Sequence, residues 1–163
     1  MKQGVSRRRF ISAAVAAGAA GALAGGHRAV GQSTGAVSGF DHVALPMQNT
    51  EQMLVFYRKL GFEVKDSARI CSVYIGNQMI NFHHPDLWQN PSFTLRAPAA
   101  KPPCGDLCFV WDGTPQSLKA MLDQAGAQVI EGPVPRQGGR KKASSSVYIR
   151  DPDGNLLEFM IYS

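Results

Sequence analysis

Two stretches of this chain repeat the same order of secondary-structure signals, and this duplication constrains the fold more than any other feature. Each stretch begins with a short apolar strand, continues with an amphipathic helix that ends at a glycine, and finishes with three strand-like segments. The helix-ending glycines, Gly61 and Gly126, are 65 residues apart, and His42 and Asp106 on the two opening strands are 64 apart. The chain is therefore predicted to contain a βαβββ unit twice.

Start and stop signals place the two helices. In "NTEQMLVFYRKLG", apolar residues recur at spacings of three and four, and Asn49 or Thr50 is expected to cap the helix. In "TPQSLKAMLDQAG", Thr114 is the expected N-cap and Pro115 the first helical residue. The strands predicted to follow are "FEVKDS", "ARICSVYIG" and "QMINFHH" in the first unit, and "AQVIEG", "SSSVYIR" and "NLLEFMIY" in the second.

The first 31 residues are predicted to be an export signal outside this fold. The first nine hold four basic and no acidic residues, and residues 10–24 are apolar and rich in Ala and Gly. That run is shorter than the roughly 20 residues of a membrane-spanning helix, so no stable membrane anchor is expected. The segment "SRRRFI" resembles the twin-arginine motif, and Ala29 and Gly31 fit cleavage before Gln32. The protein is therefore predicted to be periplasmic.

The basic character of the chain belongs to this leader. Five of the 17 Lys and Arg residues precede residue 32, and all 12 acidic residues follow it. The remaining chain is balanced, so a nucleic-acid partner is not predicted. Its one dense basic segment, "PVPRQGGRKKASS", is interpreted as a solvated loop, with an anion-binding lid as the alternative.

The three cysteines do not form an evident disulfide or metal motif. Cys104 and Cys108 in one extended segment lie roughly 13 Å apart, beyond disulfide reach. A bond between Cys71 and Cys104 stays open. All three are interpreted as small packed residues.

One carboxylate stands in an unusual setting. "SSVYIRDPDGNLLEFM" reads as a strand, a tight acidic turn and a second strand, and Glu158 lies among the apolar residues of that second strand. Because strand side chains alternate, Glu158 shares a face with Leu156 and Met160. It could be an ion-paired edge residue, or a group that serves chemistry.

Three segments together resemble one family. "FDHVALPMQNTEQMLVFYRKLGFEV", "GDLCFVWDGTPQSLKAMLDQAGAQVIEGPV" and "SVYIRDPDGNLLEF" are similar to the vicinal oxygen chelate superfamily of glyoxalases, bleomycin-resistance proteins and ring-cleaving dioxygenases. "GNQMINFHH" and "GDLCFV" resemble its small glyoxalase-domain-containing proteins. The resemblance implies an α+β domain over residues 39–163, with units of about 39–98 and 104–163 forming a cupped mixed sheet.

In that family, a divalent metal on the concave face is held by the first and fourth strand of each unit. Carried onto this chain, the resemblance implies His42 and Glu158 as ligands. Asp106 stands where the family often has His, and the fourth ligand is His83, with Asn81 as its alternative. An imidazole binds mid-series metals better than an amide, which favours His83.

The resemblance implies one ion of Fe, Mn, Ni or Zn and a small-molecule substrate with adjacent oxygens. The favoured function is an isomerase or lyase in which Glu158 is the catalytic base that shuttles a proton. The alternatives are a ring-cleaving non-haem iron dioxygenase and a metal-free, bleomycin-resistance-type binding protein. His84, which points to the opposite side of its strand, is interpreted as a surface residue. Whether the units pair within one chain or across a homodimer stays open.

Overall fold

The computed structural model describes residues 35–163, so the predicted leader at 1–31 lies outside the described residues. The first unit contains β1 (His42–Pro46), α1 (Thr50–Lys59), β2 (Glu63–Asp66), β3 (Ile70–Ile75) and β4 (Gln78–His83). A short α2 (Pro85–Trp88) follows. The second unit contains β5 (Asp106–Val110), α3 (Pro115–Ala125), β6 (Glu131–Gln137), β7 (Ala143–Arg150) and β8 (Leu156–Tyr162). The predicted duplication of a βαβββ unit is confirmed.

Each unit forms one four-stranded mixed sheet. The strand orders are β1-β4-β3-β2 and β5-β8-β7-β6. In both sheets the first strand pairs in parallel with the last, and the remaining pairs are antiparallel. The predicted α+β class is therefore confirmed, and the two opening strands lie at sheet edges.

Local signals account for both long helices. Thr114 Oγ1 accepts from the Ser117 backbone N–H, and Ser117 Oγ accepts from the Thr114 N–H, which closes a capping box at the start of α3. Gly126 ends α3 in the left-handed region with φ of 71°. Asn49 precedes α1 as predicted, but its side chain makes no capping bond and binds Asp153 instead.

The edge strand β6 differs from the expectation. The predicted strand "AQVIEG" begins only at Glu131, and β6 continues to Gln137 through residues that were expected to form a loop. Pro133 and Pro135 cannot donate backbone hydrogen bonds, which is why the segment resembles a loop. At the outer edge of a sheet a strand tolerates proline.

The two units share one hydrophobic core. Buried residues of both units belong to a single cluster, and the rings of Phe62 and Phe109 lie 5.1 Å apart across it. The units are therefore packed on each other within one chain.

The three cysteines, Cys71, Cys104 and Cys108, are all free. Among residues 35–163, no helix has the length and apolar character that crossing a membrane requires.

The acidic turn before β8 joins the units. Asp153 accepts from the backbone N–H groups of Gln48 (2.7 Å) and Asn49 (2.8 Å), just before α1. Asp151 accepts from the buried hydroxyl of Tyr57 on α1 at 3.0 Å. The turn thus fixes the start of β8 against the first unit.

Candidate functional site

Strand alternation gives each sheet one face toward the hydrophobic core and one face away from it, which we name the open face. On β4, Ile80 and Phe82 belong to the core, so Asn81 and His83 lie on the open face. On β8, the residues flanking Glu158 belong to the core. By the same alternation, the predicted ligands on β1 and β5 also lie on the open faces.

Glu158 lies at the centre of the open face of the second unit. The strand register places Cys108 on β5 and Tyr148 on β7 directly beside it. Its Oε1 atom is buried and, within residues 35–163, has no hydrogen-bond partner. A buried polar atom of this kind calls for an explanation such as an ion or a proton.

The two neighbours of Glu158 are protonated groups at neutral pH. Loss of hydration raises the pKa of the Cys108 thiol to about 12, and the nearby charges of Glu158 and Asp106 add to that shift. Partial burial raises the pKa of Tyr148, and Glu158 adds to the effect while the hydrogen bond from Arg136 opposes it. Neither neighbour therefore brings a charge of its own to this part of the open face.

Arg136 on β6 supports Tyr148 from the sheet edge. Its Nε donates to the Tyr148 hydroxyl at 2.9 Å, and its Nη2 lies 3.4 Å from Glu131 Oε1. Because the tyrosine oxygen accepts from Arg136, its own proton is free to be donated elsewhere. The hydroxyl is therefore positioned as a donor beside Glu158.

In the first unit, a neighbouring carboxylate holds the imidazole ring of His42. Its Nδ1 lies 2.6 Å from Asp41 Oδ1, and both side chains are exposed. A carboxylate beside Nδ1 restricts the orientation of the ring, as it does for many metal-binding histidines. Asp41 thus holds the exposed ring of His42.

The two candidates for the fourth position have different surroundings. Asn81 Oδ1 accepts from Ser72 Oγ at 2.7 Å on the open face. His83 is only 8% exposed and packs edge-on against Phe93, with 5.3 Å between ring centres. Burial lowers the pKa of His83, so its imidazole is neutral. His84, interpreted as a surface residue, is partly buried beside Asp66.

The structure does not bring the predicted ligands together around one point. Within residues 35–163, no three His, Cys, Asp or Glu side chains are grouped closely enough to hold a metal ion. The predicted ligands form two half-sets, one on each unit. His42 and His83 or Asn81 belong to the first, and Asp106 and Glu158 to the second. The donor types fit a divalent metal, as do the oriented imidazole and the buried carboxylate oxygen.

Sequence reasoning missed three residues around Glu158. Tyr148 was detectable, because the short turn before β8 pairs its strand with that of Glu158. Cys108 lies beside Glu158 through the long-range pairing of β5 with β8, which no local pattern reports. Arg136 carried no such signal, because its segment resembles a loop.

Comparison with known proteins identifies the family. The model of the glyoxalase/bleomycin resistance protein/dioxygenase superfamily matches residues 39–159. The chain is 35% identical over 124 residues to the virulence protein STM3117 of Salmonella typhimurium, covering 75% of this chain and 83% of that one. It is 32% identical over 127 residues to the glyoxalase domain-containing protein RDO1 of Mycosarcoma maydis, covering 77% and 69%.

Solved structures agree with this result. An integron cassette protein from V. cholerae matches 78% of this chain and 98% of its own, with 32% identity and a TM-score of 0.69. The matched region contains both units and both open faces. The chain belongs to the glyoxalase/bleomycin resistance protein/dioxygenase superfamily.

Proposed function

We propose that this chain is an exported, divalent-metal-dependent enzyme of isomerase or lyase type that acts on a small substrate with adjacent oxygens. The observation that carries the proposal is the buried Oε1 of Glu158, which has no partner within residues 35–163. A carboxylate oxygen is costly to bury without a partner. Its neighbours Cys108 and Tyr148 bring no positive charge to this oxygen, and a bound cation would supply the missing partner.

His42, Asp106 and Glu158 would hold the metal, with Asn81 or His83 as the fourth ligand. Fe, Mn, Ni and Zn all accept such nitrogen and oxygen donors. When bound, the ion supplies Lewis acidity toward two adjacent oxygens of a substrate. Asp41 supports the set by orienting the His42 ring.

The chain's own residues supply the proton transfer. Glu158 is the base that accepts a proton from the substrate carbon and returns it. Tyr148, held through its oxygen by Arg136, donates toward the carboxylate and limits the positions that it can take. Arg136 and Tyr148 thus act as positioning residues for Glu158.

The two half-sets support a homodimer. An isologous dimer places the first unit of one copy against the second unit of the other, and this completes two equal sites. The opening strands β1 and β5, which carry His42 and Asp106, are sheet edges. Near them, Phe40 is 63% and Val110 is 46% exposed, which is apolar surface available for burial.

Metal content tests the function directly. We expect elemental analysis of the exported protein to find one divalent ion per site, and metal-stripped protein to bind Fe²⁺, Mn²⁺, Ni²⁺ or Zn²⁺ in calorimetric titration. If it binds none of them, the metal-free binding protein is the correct interpretation. Retention of Fe²⁺ alone, together with oxygen-dependent ring cleavage, would establish the dioxygenase alternative.

Mixing two defective variants tests the split site. In a heterodimer of His42→Ala and Glu158→Gln, one site carries both changes and the other carries neither. Random exchange of subunits is therefore expected to restore about a quarter of wild-type metal sites, although each variant alone has none. The number of metal ions bound per chain, measured before and after the two variants are refolded together, checks this. If the mixture binds no more than its components, the site lies within one chain.

Export is a separate prediction. Changing Arg7 and Arg8 to Lys, in the segment outside the described residues, is expected to retain the precursor in the cytoplasm, because the twin-arginine pathway reads the arginine pair. Cell fractionation and the length of the mature chain measure the result. Lys2→Arg is the matched control, and secretion of the double variant at the wild-type level would refute the twin-arginine interpretation.

A further inference from the structure

A small cavity lies on the open face of the first unit, beneath the segment that joins β4 to β5. We name residues 84–104 the covering segment. The cavity measures about 100 Å³, and Ala44 and Pro46 of β1 line it from the sheet. Trp88 and Arg96 line it from the covering segment, and His83 lies between them. Of the predicted metal ligands, only His83 lines this compartment.

Two contacts fix the covering segment against the first unit. The Trp88 indole Nε1 donates to the Met47 carbonyl at 2.8 Å. Phe93 packs edge-on against the ring of His83. Because both anchors are side chains at different points of the segment, the cavity walls hold a defined position.

Arg96 brings a positive charge to this cavity without a carboxylate to balance it. Its side chain is half-buried, and Nη1 donates to the carbonyls of Ala97 (3.3 Å), Pro98 (3.2 Å) and Ala100 (3.5 Å). Among residues 35–163, no acidic side chain pairs with it, and its Nε and Nη2 donate no hydrogen bond. A guanidinium with unused donors matches a planar anion.

We propose that this cavity is a subsite for an anionic group of carboxylate size on the small-molecule ligand, bound by Arg96. The proposal rests on the proposed function in one respect, namely that a small molecule occupies the open face of the first unit. Besides Arg96, the lining consists of His83, Trp88, alanine and proline, so the permanent charge of Arg96 supplies the selectivity. The cavity volume admits a carboxylate group and little more. The subsite thus favours ligands that carry a small anionic group.

Acetate and acetamide are matched probes, because they share shape and differ in charge. The full chain is titrated with each by NMR at constant ionic strength, as purified and after EDTA treatment, and the Trp88 indole N–H is the reporter. We expect acetate to bind about tenfold more tightly than acetamide in both preparations, which is the scale of one charge-assisted hydrogen bond. Arg96→Gln is expected to remove this preference, and Arg96→Lys to keep part of it.

Arg69→Gln, an exposed arginine of the same unit, is the control and is expected to leave the preference unchanged. Equal binding of the two probes to the wild type overturns the proposal, as does a preference that survives Arg96→Gln. If Arg96→Lys loses the preference as well, Arg96 only supports the covering segment and does not bind the anion. Because the EDTA-treated chain is tested, failure of metal binding leaves this result unaffected.

Discussion

Replacing Glu158 with glutamine is expected to weaken divalent-metal binding by more than about 100-fold, because changes to groups that only support a ligand already cost 10- to 100-fold. Glutamine keeps the size of the side chain and removes its charge. Oε1 has no hydrogen bond to lose, and the amide oxygen of glutamine can still accept from Tyr148, so the fold should keep its wild-type stability. Calorimetric titration with Mn²⁺ measures the metal affinity. The melting temperature without metal measures the stability of the fold, and its rise when metal is added reports binding.

Glu63→Gln is the matched control for this experiment. Glu63 is also a strand glutamate, but it is exposed, lies on β2 of the first unit and pairs with Lys65. We expect it to bind metal as the wild type does. If Glu158→Gln also binds normally, the metal lies elsewhere in the protein. If Glu158→Gln does weaken binding, comparing His83→Ala with Asn81→Ala identifies the fourth ligand, because only the loss of the true ligand weakens binding.

The parts of the fold that were predictable depend on local physics. The capping box at Thr114 and the left-handed Gly126 each involve residues within a few positions of one another, so sequence patterns report them directly. The alternation that sets Glu158 apart from its core neighbours on β8 is equally local. Repetition of these signals at one spacing indicated the duplicated unit.

The parts that were not predictable depend on contacts distant in sequence. Asn49 looked like a helix cap, but Asp153, more than one hundred residues away in sequence, takes its side chain. Edge position made β6 a strand despite its prolines, and no local pattern reports which strand lies at an edge. The places of the predicted ligands also depend on contacts distant in sequence. The sequence therefore indicated the types of ligand but not their division into two half-sets.

Replacing Asp151 with alanine is expected to lower the free energy of unfolding by about 3 kcal/mol, because a buried donor left without an acceptor costs about 1–3 kcal/mol. Asp151 is 5% exposed and accepts from Tyr57 Oη, Asn155 Nδ2 and the backbone N–H groups of Asp153 and Asn155. Alanine leaves these donors without an acceptor. Because Tyr57 belongs to the first unit, the loss also loosens the junction between units. Urea-induced unfolding measures the change.

One control separates this network from a general effect of removing aspartate. Asp123→Ala breaks only an exposed pair with Lys119 and is expected to cost at most about 0.5 kcal/mol. A cost below about 1 kcal/mol for Asp151→Ala would mean that water replaces the network.

The response of Asp151 to pH gives a further check of the same network. Burial raises its pKa above the ordinary 3.8, while its hydrogen bonds oppose the shift. Since the folded pKa exceeds the unfolded one, the stability that protonation of Asp151 contributes is fully present below the unfolded pKa. It is lost as pH rises through the folded pKa. Asp151→Asn, which cannot ionise, is therefore expected to cost less at pH 7 than at pH 3. A greater cost at pH 7 than at pH 3 would show that the hydrogen bonds outweigh burial at this carboxylate, and an equal cost would show that the two effects balance.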